Sequence, residues 1–138
     1  MIHIVNLQIA YNPTNMDFDS LREKVLSEKS DYGKNKVLKS LVESIETVLG
    51  YRITEFLKEY ADDKYRTKGL QILEGKIILY EYDCVDILKT FKTDDERFVA
   101  FKILERIKRI NPDLRFAISE TFTSKVFRQI VSPGIRKY

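Results

Sequence analysis

From Val37 onward apolar residues return every three or four positions, at Leu38, Leu41, Val42, Ile45, Val48 and Leu49. That spacing predicts a helix with one buried stripe. The period continues through Ile53, Phe56, Leu57 and Tyr60, so residues 34–61 read as one long helix or as two that break at Gly50. Glycine inside a helix costs about 1 kcal/mol against alanine, which favours the break. Ahead of this stripe, "IHIVNLQIAY" alternates as a strand does, with His3, Val5, Leu7, Ile9 and Tyr11 on one side and Ile4, Asn6 and Gln8 on the other. Asn12-Pro13 ends it. A helix is expected next, capped by Asp17 with Met16 and Leu21 as a hydrophobic staple, or begun by a Ser20/Glu23 capping box.

After the polar stretch "ADDKYRTKG", residues 69–83 read "GLQILEGKIILYEYD". Two short apolar runs meet at Glu74-Gly75, the signature of a β-hairpin closed by a two-residue turn. A short helix should run from Cys84 to Phe91 behind an Asp83 cap. Thr93 and Glu96 then form a capping box for "RFVAFKILERIKRI", which Asn111-Pro112 closes. "DLRFAISETF" alternates as a further strand, and a last helix is expected over 123–131, stopped by Ser132-Pro133-Gly134. No internal repeat stands out. The expectation is a single α+β domain spanning 1–138, with about four strands, the 69–83 hairpin among them, packed against several helices.

The 43% hydrophobic content argues against disorder, and no apolar run approaches the roughly 18 residues of a membrane span. The start of the chain lacks the basic and apolar regions of a signal peptide, so a cytoplasmic protein without a membrane partner is expected. One cysteine (Cys84) and one histidine (His3) exclude an internal disulfide and a zinc site of about four ligands. His3 reads as a core or edge residue. No metal and no cofactor is expected.

The net charge of +3 conceals an uneven distribution. Residues 70–96 carry three basic and seven acidic side chains, whereas 97–138 carry ten basic and three acidic. On a helical wheel Val99, Ile103, Ile107 and Ile110 form an apolar face opposite Lys102, Glu105, Arg106 and Arg109, with Phe98 and Phe101 on the charged side. Rings among cations suit stacking on bases while the cations neutralise phosphates. Arg115, Lys125, Arg128, Arg136 and Lys137 extend the candidate strip.

Glu74 and Lys76, two apart on a strand, could with Asp63 hold Mg²⁺ and orient a nucleophile, as in a metal-dependent nuclease. Gly75 between them favours the turn. Glu81, Asp83 and Asp86 could likewise hold a cation, but read more simply as a strand end, a cap and a solvated first turn. The sequence therefore points to a non-enzymatic binding protein that meets DNA or RNA backbone through its C-terminal third. The alternative is a protein-interaction module, an inhibitor or adaptor, able to form a homodimer; the nuclease is third.

Overall fold

A computed structural model describes residues 16–133. Among them are eight α-helices: α1 (Phe18–Leu26), α2 (Asp31–Leu41), α3 (Gly50–Leu57), α4 (Asp63–Leu73), α5 (Glu81–Lys89), α6 (Asp94–Ile107), α7 (Pro112–Ser119) and α8 (Lys125–Val131). Two strands of two residues, β1 (Val48–Leu49) and β2 (Ile77–Ile78), pair in parallel with Val48 opposite Ile77 and Leu49 opposite Ile78.

The described chain is thus mostly helical, which overturns the four-stranded α+β expectation. The 69–83 segment is the end of α4, a 3-10 turn over Glu74–Lys76, β2 and the start of α5, so no hairpin forms. "DLRFAISETF" is α7 and the turn after it. Asn111-Pro112, expected as a stop, is a start: the Asn111 side chain accepts from Leu114 N at 2.8 Å and Pro112 occupies the first helical position, where a missing N–H costs nothing. The break in the first long stripe falls at Val42–Leu49 and not at Gly50, which opens α3. The strand expected at 2–11 lies outside the described residues.

The helices repeat. Odd-numbered helices begin at Phe18, Gly50, Glu81 and Pro112, and even-numbered ones at Asp31, Asp63, Asp94 and Lys125, a recurrence of 31 or 32 residues in both series. The N-caps of the even helices, Ser30, Asp62, Thr93 and Ser124, keep the same interval, and each accepts from a backbone amide of its own first turn. Within a unit the odd helix packs on the even one, and from one unit to the next α3 packs on α5, α5 on α7, α2 on α4 and α4 on α6. The result is a two-layered helical solenoid, an architecture in which each unit leans chiefly on its neighbours.

Three residue types make the unit. An aromatic ring is buried at Tyr60, Phe91 and Phe122. Three residues on comes an acid, Asp63 or Asp94, and three after that an arginine, Arg66, Arg97 or Arg128, whose guanidinium donates to the carbonyl of Tyr60, Phe91 or Phe122 respectively. In the first unit Lys34 stands at the arginine position and donates to the Lys29 carbonyl, one residue nearer in sequence, at 3.3 Å.

The acids bind the units together. Asp31 accepts from the amides of Ala61 and Asp62, with its shortest bond 2.8 Å. Asp63 accepts from Lys92 N and Thr93 N, both at 2.8 Å, and from the Thr93 hydroxyl at 3.1 Å. Asp94 accepts from Thr123 N, the Thr123 hydroxyl and Ser124 N at 2.8–3.1 Å. Each carboxylate at the start of one even helix therefore satisfies amides at the start of the next, which lack partners in their own helix. At the other end Lys76 donates to the Ile45 carbonyl at 2.9 Å. With both ends matched, α2 and α4 lie side by side and parallel.

Asp63 is buried and also pairs with Arg66, which is 2% exposed and donates to the Leu57 carbonyl as well. Asp63→Ala would strand that guanidinium and the amides of Lys92 and Thr93, a cost of about 3–5 kcal/mol measurable by chemical denaturation. Asp94 gives a pH signature. Burial pushes its carboxyl up, but the Thr123 amide and hydroxyl, the Ser124 amide and the nearby Arg97 outweigh this and hold it below its ordinary value. A depressed folded-state value means stability that is complete above about pH 4 and lost as the pH falls through the folded-state value. Asp94→Asn should flatten that part of the acid dependence of the melting temperature.

Candidate functional site

The nuclease trio does not assemble. Asp63 opens α4 and Glu74 follows its last residue, a separation of about 16 Å at 1.5 Å per residue. All the oxygen capacity of Asp63 is directed at Arg66, Lys92 and Thr93. Glu74 receives both Nε and an Nη of Arg106 at 2.9 Å, while Lys76 lies on the Ile45 carbonyl with Glu43 3.9 Å away. Among the described residues no group of three or more His, Cys, Asp or Glu side chains is placed to hold a metal ion.

The second acidic set is likewise divided. Asp83 is buried and accepts from Tyr80 N at 3.1 Å, Glu81 accepts from the Asn111 side chain, and Asp86 is exposed. Asp83 also explains Gly50: a Cβ there would fall 2.6 Å from the Asp83 carboxylate, so only glycine lets the starts of α3 and α5 meet.

Three of the C-terminal cations pair with carboxylates, two of them across a unit boundary. Arg106 binds Glu74 in the turn after α4; Lys102 lies 3.0 Å from Glu105; Arg115, from α7, reaches Glu105 at 2.9 Å and the Val131 carbonyl at 3.3 Å. Burial pushes the Glu105 carboxyl up, and the bonds from Lys102 and Arg115 bring it below its usual range. Arg128 caps the Phe122 carbonyl at 2.7 Å. Arg109 and Lys125 are exposed. Arg136 and Lys137 lie outside the described residues.

Phe98 is half-buried and packs 5.5 Å from Phe127 and 6.1 Å from Phe101, ring centre to ring centre. Phe101 is buried and Val99 exposed, so the inward face of α6 is Ala100, Phe101, Ile103 and Leu104, rotated from the wheel reading.

Sequence reasoning missed a different surface. Where the units meet at β1 and β2, Val48 and Ile77 point into the core while Leu49 and Ile78, paired in register, point out. Tyr51 stands at the second position of α3, and Tyr82 at the same position of α5. Tyr80 stacks on Tyr82 with ring centres 5.9 Å apart and planes 14° from parallel. Leu49, Tyr51, Ile78, Tyr80 and Tyr82 are 38–68% exposed. Glu46 and Glu81 are exposed beside them. The available signal was the recurrence of tyrosine at 51 and 82, one unit apart.

Compared with known proteins, the chain matches no family model, no curated protein and no solved structure.

Cys84 is buried at the end of this surface, its thiol 3.7 Å from the Tyr80 carbonyl. Burial pushes the thiol up to about 11, with Asp83 and Glu81 adding to the rise and Lys108 opposing it. At pH 8 only about one thiol in a thousand is then ionised. A disulfide reagent should label Cys84 at pH 8 far more slowly in the native protein than in denaturant, with a rate still rising with pH beyond 9.

Proposed function

We propose that the chain is a non-enzymatic protein-interaction module whose docking surface is the tyrosine-rich edge of its second and third units. One observation carries this reading: five large apolar or aromatic side chains converge, exposed, where two stacked helices begin. Tyrosine supplies a large contact area at small entropic cost, and interface hot spots are enriched in it. A clustered patch of this kind, unlike apolar residues scattered singly, is what a binding surface looks like. Helical solenoids provide extended rigid surfaces of this sort because each unit presents the same positions at a fixed interval.

The underlying chain is well prepared for the task. The close approach of Gly50 to Asp83 sets the helices that carry Tyr51 and Tyr82 against each other, so the backbone beneath the rings is held before a partner arrives.

A triple substitution, Tyr51→Ser with Tyr80→Ser and Tyr82→Ser, tests the reading. All three side chains are exposed, so the melting temperature should change little. Affinity capture with the parent chain should retain a partner at a fixed stoichiometry, and the variant should lose it by about tenfold or more in affinity. Sedimentation across concentrations distinguishes a second copy of this chain, which would give a rising mass for the parent alone. A captured set and a mass that are identical for parent and variant would refute the assignment.

A further inference from the structure

We infer that the outward face of α2 and α4, in the opposite layer from the tyrosine edge, binds single-stranded nucleic acid. The stacked units form a grid there. Position by position, Tyr32 on α2 matches Lys64 on α4, Lys36 matches Lys68, and Lys39 matches Gln71. All of these side chains are exposed, while the inward residues of the same helices, Leu38, Arg66 and Leu70 among them, are buried.

The charge on this face is free. Among the described residues Lys36, Lys39, Lys64 and Lys68 have no carboxylate within 4.0 Å, in contrast to Lys102, Arg106 and Arg115 of the C-terminal third. Lys36 and Lys39 are one turn apart on α2, Lys64 and Lys68 one turn apart on α4, and the Asp31 clasp fixes the two helices side by side. Neighbouring helices are about 8–10 Å apart, so the four ammonium groups form one compact patch. Acids lie along the patch's edges: Asp62 caps α4 and accepts from the Lys64 amide, Glu96 of the next unit accepts from Thr67, Asp95 follows Lys64 in the next unit, and Glu43 lies towards Lys76.

The chemistry selects among anionic occupants. Tyr32, 64% exposed, precedes Lys36 by one turn, and Tyr65, 39% exposed, precedes Lys68 by nearly one. Two aromatic faces interleaved with four cations suit a strand whose bases are free to stack while its phosphates meet ammonium groups. A duplex keeps its bases stacked on one another, and a lipid headgroup or an acidic peptide offers the rings no flat partner. The patch therefore fits a single strand.

The test uses the whole chain and a short fluorescein-labelled oligo(dT), followed by anisotropy as salt is raised. Four phosphate contacts give a log–log salt slope of about −3. Replacing Lys36, Lys39, Lys64 and Lys68 by Gln should abolish most of that slope and weaken low-salt binding by at least about tenfold. Tyr32→Ala with Tyr65→Ala should weaken binding by about tenfold or more with the slope intact. Arg109→Gln with Lys125→Gln, exposed cations elsewhere, should bind like the parent. Unaltered melting temperatures establish that these exposed substitutions leave the fold whole. The proposal is overturned if the parent fails to bind at low salt, if the lysine variant binds as the parent does, if the tyrosine variant is undiminished, or if duplex DNA or phosphatidylserine vesicles are preferred.

Discussion

Each unit is attached to the next by a carboxylate at the start of an even helix, and this contact is what makes a stack of short helices possible. Helices of 7–14 residues, as here, are marginal in isolation because nucleation is unfavourable and few hydrogen bonds follow it. Their first amides have no partner in their own helix. Asp31, Asp63 and Asp94 supply that partner across the unit boundary. The contact is directional and specific in length: an aspartate in the first turn reaches the neighbouring cap, and the cap can only be in reach if the intervening chain is one unit long. At the equivalent place in α8 stands Lys125, which cannot accept, so the described series of clasps ends there.

Departures from the repeating unit are compensated locally. Tyr60 takes the place that Phe91 and Phe122 hold in later units, and its hydroxyl would be an unsatisfied donor in the core. Asn35 answers it, accepting at 2.6 Å while giving its own amide to the Tyr65 carbonyl at 3.0 Å. The extra oxygen also needs room, and Gly69 provides it: a Cβ there would lie 2.9 Å from the Tyr60 hydroxyl. Later units put Ala100 and Val131 at this position, where the ring opposite has no hydroxyl. One polar atom has thus fixed two other residues, one for its hydrogen bond and one for its volume.

Much of the local structure was legible. Asp17 caps α1 and Thr93 caps α6, because a cap is written in four or five adjacent residues, although Ser30 and Ser124, which cap α2 and α8, were passed over. The class was not legible for a physical reason. In a solenoid a helix meets a partner in its own unit and others before and after, so its buried surface wraps too far round for a clean stripe. "LQILEGKIILYEY" then reads as two apolar runs, and Gly75, which has open space around it in the 3-10 turn, reads as a hairpin corner. Tertiary packing, not local preference, makes 63–73 a helix: Arg66, Gly69, Leu70 and Leu73 are all buried against other helices. The decisive signal was long-range. Tyr60, Asp63 and Arg66 recur as Phe91, Asp94 and Arg97, and the ring and the arginine again as Phe122 and Arg128. An aromatic, an acid and an arginine at intervals of three form no apolar stripe, so a reading of hydrophobic periodicity by windows passes over them.

The same geometry explains why charge counted along the chain misleads about surfaces. Part of the basic excess after residue 97 is answered by carboxylates: Arg106 and Arg115 pair across unit boundaries, with Glu74 and Glu105, and Lys102 pairs with Glu105 on its own helix. Arg97 and Arg128 serve backbone carbonyls, a role that follows from their place in the unit. In a stacked array the exposed surface is composed of equivalent positions from successive units, which lie some 31 residues apart in sequence and touch in space. Surfaces of the array are therefore defined across the chain. Tyr51 with Tyr82 in one layer, and Lys36 with Lys68 in the other, become neighbours through the clasps and packing that hold the units in register, and a partner reading either pair is reading the repeat.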